Sequence, residues 1–134
     1  MNDCLFCKIV KREIPNYTVY EDENVLAFLD IHPCANGHTI VVSKKHFADI
    51  LEMDQESFIL MAAGLRAAAA LVQAKLKPDG LNIGINNGSA AGQAVAHAHW
   101  HIIPRWQGDG GGSMHSIIRQ ITEDPKDIAK LFAA

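Results

Sequence analysis

Three histidines alternate with apolar residues in His97-Ala98-His99-Trp100-His101, and Ile102 and Ile103 follow. Side chains two apart on a β-strand share a face. Read as a strand, this stretch lines up three imidazoles on one side and sets Ala96, Ala98, Trp100 and Ile102 on the other. Such a strand must sit in a sheet with one apolar face buried. Its other face carries three groups that titrate near neutral pH. A packed core has little use for that row, whereas a nucleophile, a proton handler or a metal site does.

The rest of the chain can supply the sheet. It has 134 residues, the size of one domain, and is 49% hydrophobic. The net charge of −3 shows no basic excess, which argues against a nucleic-acid partner. The apolar stretches read as too short for a membrane span. Met1–Lys8 lacks the basic and apolar regions of a signal peptide, so a cytoplasmic setting is expected. Cys4, Cys7 and Cys34 are an odd number, which points to thiols or metal ligands over a disulfide framework.

Tyr17–Tyr20 and Asn24–Asp30 read as strands around the polar turn Glu21-Asp22-Glu23, and His38–Ser43 is a third strand after the loop Pro33–Gly37. A long helix is expected from an N-cap at Asp54 to a stop at Lys77-Pro78-Asp79-Gly80. Its apolar stripe is Phe58, Met61, Leu65, Ala68, Val72 and Leu76, a core face. Leu81–Asn87 is a fourth strand, Gly88–Gly92 a small-residue loop, and the histidine row the fifth strand. After the glycine-rich segment Gly108–Gly112, Asp124–Phe132 reads as a short helix with Pro125 at its first position. One α+β domain over 1–134 is predicted: a five-stranded antiparallel sheet, one long helix and short terminal helices, with a variable tail from 107 to 134.

The row admits three chemistries. Its histidines are structural, or they hold a metal with His38 or His46, or a neutral imidazole attacks an activated phosphorus. In the third case neighbours hold the phosphoryl oxygens or protonate the leaving group. Gly88-Ser-Ala-Ala-Gly-Gln93 is small enough to bring backbone N–H groups near a phosphate, although it lacks the Gly-Lys-Ser/Thr of a P-loop.

His97-Ala-His-Trp-His-Ile-Ile resembles the pattern of the histidine triad family. So do Cys4-Leu-Phe-Cys-Lys-Ile-Val, Glu13-Ile-Pro, Val19-Tyr-Glu-Asp, Leu26–Ile31, Gly37–His46 and Ala91-Gly-Gln, in the order of its Hint-like branch in bacterial form. The resemblance implies a nucleotide hydrolase or phosphoramidase acting on the α-phosphate of an AMP-type purine nucleotide. His99 would be the nucleophile, through a nucleotidyl-histidine, with His101, His97 and His38 completing the catalytic group. Asp30 would receive the ribose hydroxyls. Leu5, Phe6, Ile9, Phe28 and Ile31 would clamp the base, and Asn86 and Gln93 would lie near the phosphate. No catalytic metal is required. Members form homodimers. The alternatives are a dinucleoside polyphosphate hydrolase and, in another class, a nucleotide-binding scaffold protein. Where the eukaryotic branch carries a serine after the glutamine, this chain has Ala94.

Cys4-x-x-Cys7 is a metal-knuckle spacing that redox motifs share, and two reduced cysteines packed as small apolar residues would also explain it. The resemblance adds His46 and His97 as partners, which implies a closed, structural zinc site of two thiolates and two imidazoles.

Overall fold

A computed structural model describes residues 3–133. A short helix, α1 (Leu5–Val10), is capped by Cys4, whose sulfur accepts the N–H of Cys7 at 3.4 Å. The sheet begins with a hairpin. Asp22 Oδ1 accepts the N–H groups of Asn24 (2.7 Å) and Val25 (2.8 Å), which turns the chain from β1 (Thr18–Glu21) into β2 (Val25–Leu29). β3 (Thr39–Ser43) pairs with β2 over its whole length. A long helix, α2 (Gln55–Leu76), then crosses the sheet before β4 (Gly80–Gly84) and β5 (His99–Arg105) complete it. Strand order is β1-β2-β3-β5-β4, every neighbouring pair antiparallel. This is the expected α+β architecture, with β5 between two partners and β4 at an edge.

Alternation along the strands divides the core in two. Val25, Ala27, Val41, Ala98 and Ile102 meet Met61, Ala68, Ala69 and Val72 of α2 on one face. Leu26, Phe28, Ile40 and Val42 meet Phe6 and Ile9 of α1 on the other. His99 pairs with Val42 and His101 with Ile40, so both imidazoles rise from the α1 side.

Asp54 caps α2 as expected by accepting the N–H of Ser57, and Lys77 ends it in the left-handed conformation. The expected stripe is only partly the buried one. Met61, Ala68 and Val72 are buried with Gly64 and Ala69, whereas Phe58 and Leu65 are half-buried and Leu76 is exposed. The helix approaches the sheet closely at Gly64, where a Cβ would lie 2.7 Å from Val25. The expectation of only short apolar stretches needs correction. α2 has 22 residues and a mean hydropathy of 1.6 over its best window, enough to cross a membrane by length and composition. Phe58, Ile59, Leu60, Met61, Leu65, Leu71 and Val72 account for it together with the alanines, and this helix packs on β1, β2, β3 and β5 as a core helix.

The first three strands shift by one residue at their ends, and three boundaries shift further. β4 ends at Gly84 rather than Asn87. The tail helix, α3 (Pro125–Ala129), gives way to a 3₁₀ turn at Lys130–Phe132. β5 starts at His99, because Val95–His97 forms a bend: the N–H of His97 donates to the carbonyl of Val95 (2.8 Å) and that of Ala98 to Phe47 (2.7 Å).

Candidate active site and metal cluster

The bend sends the first histidine away from the other two. His97 Nε2–H donates to the carbonyl of Ser43 at 2.6 Å, since a carbonyl can only accept. In the neutral ring Nδ1 is therefore bare. It faces Cys4 Sγ at 3.4 Å, Cys7 Sγ at 3.5 Å and His46 Nδ1 at 3.2 Å, and Cys7 Sγ lies 3.2 Å from His46 Nδ1. Burial pushes the His97 pKa down to about 4, which keeps the ring neutral and able to ligate. These four ligand atoms lie close enough to one another to hold a metal ion. A tetrahedral ion with bonds of about 2.0–2.1 Å to nitrogen and about 2.3 Å to sulfur needs N···N near 3.3 Å and N···S near 3.5 Å. The side chains present fit that requirement.

His99 and His101 are aimed by two separate chains of hydrogen bonds. His99 Nδ1–H donates to the carbonyl of His97 at 2.7 Å, which leaves the lone pair on Nε2. The second chain starts at the N–H of Cys34, which donates to His38 Nδ1 at 3.2 Å. His38 must then carry its proton on Nε2, which donates to His101 Nδ1 at 2.9 Å, and the proton of His101 sits on Nε2. Burial lowers the pKa of all three rings, His101 to about 4. Asp30 Oδ2 stands 3.7 Å from His38 Nδ1, too far for a hydrogen bond, and its charge only partly offsets the desolvation. The site thus presents a bare imidazole nitrogen on His99 beside a protonated one on His101, with ring centroids 5.0 Å apart.

The other expected site residues divide by position. Phe6, Ile9 and Phe28 are buried on the same face as His99. The Phe6 ring stands edge-on to His99 (centroids 4.9 Å) and to Phe28 (5.7 Å). Leu5 and Ile31 are exposed, Ile31 by 72%, which for an aliphatic side chain is a costly exposure. Asp30 Oδ1 accepts the N–H of His32 (2.8 Å), and its other oxygen, Oδ2, is the one on the His38 side. Asn86 lines a cavity of about 250 Å³ with His38 and His101. Gln93 is a brace: it accepts the N–H of Gly88 and donates to the carbonyls of Ala48 and Val95. The loop before it is folded on itself, with the N–H groups of Ala91, Gly92 and Gln93 bonded within the loop.

Several neighbours of the site went unmarked in the sequence. A second cavity of about 640 Å³ shares Asn82, Ile103, Met114 and Ile117 with the first and reaches Arg105. Arg105 is held by both oxygens of Asp109 (2.8 Å each), by Asn82 and by the carbonyl of Gly112. The period-two row of His99 and His101 runs on through Ile103 and Arg105, a continuation that the alternation itself offered.

The family model named HIT domain matches residues 11–108. The chain belongs to the HIT domain family. An uncharacterized HIT-like protein of Methanocaldococcus jannaschii is 51% identical over 107 residues, 80% of this chain and 82% of that one. Adenylylsulfatase HINT3 of Arabidopsis thaliana is 33% identical over 130 residues, 97% of this chain and 66% of that one. The crystal structure of a HIT family member from Bacillus subtilis superposes with a TM-score of 0.84 at 39% identity, covering 97% of this chain and 92% of that one. The five-stranded sheet with one long helix is the fold that this chain shares with those relatives.

Proposed function

We propose that this HIT domain protein cleaves AMP-type purine nucleotides at the α-phosphorus through a nucleotidyl intermediate on His99. The observation that carries this reading is the opposed protonation of two adjacent rings, with His99 Nε2 bare and His101 Nε2 protonated. His99 Nε2 forms the bond to phosphorus as the bond to the leaving group breaks, and His101 Nε2–H gives that group its proton. Water then attacks the phosphorus, the P–N bond breaks toward His99, and the proton of the water returns to His101. Asp30 receives the ribose hydroxyls. Phe6, Ile9 and Phe28, with Leu5 and Ile31 at the rim, take the base, which would cover the two exposed side chains. Asn86 contacts the phosphate, and Gln93 holds the loop beside it. The name of the Arabidopsis relative, an adenylylsulfatase, supports an adenylyl group as the transferred half.

With a phosphoramidate the leaving group is an amine. The cavity running from His101 to Arg105 favours a second substrate class with a bulky leaving group, a dinucleoside polyphosphate. Turnover of adenosine phosphoramidate against diadenosine polyphosphate ranks the two. Zinc at Cys4, Cys7, His46 and His97 is the structural metal of this reading, in a reducing cytoplasm where the three cysteines stay free. Two chains associate as a homodimer.

His99→Ala tests the core of the proposal. AMP release from adenosine phosphoramidate disappears, while AMP still binds by calorimetry and mass detection finds no trapped adduct. Turnover near the wild-type level in that variant would refute the role of His99.

A further inference from the structure

His97 has two ends with different jobs. Its ring joins the cluster through Nδ1 and is fixed behind by Ser43, whereas its carbonyl accepts the proton that orients His99. Nothing but the bonds of one residue separates the metal-ligand position from the acceptor of the nucleophile's hydrogen bond. The same cluster grips the other support of His99. Cys4 caps α1 and Cys7 lies within it, and Phe6 between them sets its ring edge-on to His99 and, at 6.0 Å, to His97.

We propose that Cys4, Cys7 and His46 are positioning residues for the reaction, acting through His97, so that metal occupancy of the cluster decides how well His99 is aimed. The assignment of His99 as nucleophile rests on the function proposed above; the mechanical link from cluster to ring does not. With the cluster filled, residue 97 and α1 are tied to one point, and both the acceptor carbonyl and the Phe6 edge are held against the nucleophile. With it empty, four ligand atoms face one another with no ion to bind them, and the bend at Val95–His97 loses its anchor on that side. A displacement of about 1 Å in a reacting group costs roughly 100-fold in rate. The cluster is open to exchange, because Cys4 and His46 line a surface cavity of about 420 Å³ with Leu5, Ala94, Val95 and Ala96. A chelator therefore reaches the ion without opening the sheet.

The test compares the zinc-loaded full chain with the same chain after chelation. It reads near-ultraviolet circular dichroism, AMP affinity, kcat on adenosine phosphoramidate and the ¹H–¹⁵N signal of His99 Nδ1–H. Expected are an unchanged fold, weaker AMP binding because Leu5 and Phe6 ride on α1, kcat lower by ~10- to 100-fold, and a shifted or broadened Nδ1–H signal, all reversed by added zinc. A folded, chelated chain with kcat and the His99 signal unchanged overturns the proposal. If chelation unfolds the chain, cadmium in place of zinc carries the test. The larger ion keeps the cluster closed but spreads its ligands, so the same signal moves and kcat falls; an unmoved signal with full kcat overturns the proposal. If no form of the protein hydrolyses nucleotides, the hydrolase reading fails separately, and the His99 signal still decides whether the cluster positions the ring.

Discussion

Single protons decide what this site can do. His38, His99 and His101 differ little as sequence letters, yet the N–H of Cys34 sets the tautomer of His38, His38 sets that of His101, and the carbonyl of His97 sets that of His99. The alternation of His97, His99 and His101 made two of these residues legible, and the family pattern added His38. The tautomers were not legible, since they depend on which group, backbone or imidazole, lies behind each ring. Gln93 shows the same limit: a polar side chain near a phosphate loop reads as a ligand, but its amide is taken by Gly88, Ala48 and Val95. The buried neutral rings also set a pH dependence. Above about pH 6.5 both folded and unfolded chains hold these histidines neutral, and they contribute no slope. Below that, the unfolded chain binds protons that folded His38 and His101 refuse, so stability falls with pH until about 4, the folded value of His101. Glu21, whose pKa is lowered by Lys44 and Arg12, adds its loss as pH falls through the ordinary carboxylate range, at the acid end of this window and below. Urea midpoints measured with chelator present, from about pH 8 to about pH 4, should show this fall, and His101→Asn should flatten it. An equal slope in that variant would count against the neutral ring.

At the level of elements, the sequence located the strands and the long helix but misjudged where two of them turn. β5 was expected to begin at His97 because alternation alone cannot see that the carbonyl of Phe47 captures the N–H of Ala98. The stripe of α2 was expected to favour the larger side chains. Instead the smallest residue marks the closest approach, since Gly64 lets the helix axis settle against Val25. Gly64→Ala follows from this. Better helix propensity returns ~1 kcal/mol, but a Cβ 2.7 Å from Val25 forces overpacking of about 1–3 kcal/mol, so a net loss of up to ~2 kcal/mol is expected. Chemical denaturation measures it, and a stabilised variant would mean that the helix can lift at no cost. The cap at Asp54 and the end near Lys77, by contrast, were readable, because capping is a local contest that local residues decide.

For the molecule as a whole, composition indicated one domain, and the sheet buries an apolar cluster on each of its two faces. Some remain outside. Ile59 and Leu60 on α2 and Ile83 on the edge strand β4 are exposed, and Ile83 pairs with Ile102, which faces α2. An unpaired edge beside apolar residues is a surface that a second copy can cover. Ile83→Asp should shift the protein toward monomer in sedimentation without changing its far-ultraviolet spectrum; an unchanged sedimentation coefficient would place any association elsewhere. β5 has no such exposure. β3 bonds it over His99–Ile102 and β4 over His101–Arg105, so His101 is flanked on both sides and His99 by β3 alone. Amide exchange at His101 and Ile102, paired on both sides, then proceeds at the rate of global unfolding. The backbone of the nucleophile belongs to the sheet, whereas the bend at Val95–His97 and the α1 segment, tied to each other through the cluster, and the exposed tail from Gly108 lie outside it. Variation in rate and choice of substrate is therefore expected to arise in those three segments, around a strand that stays still.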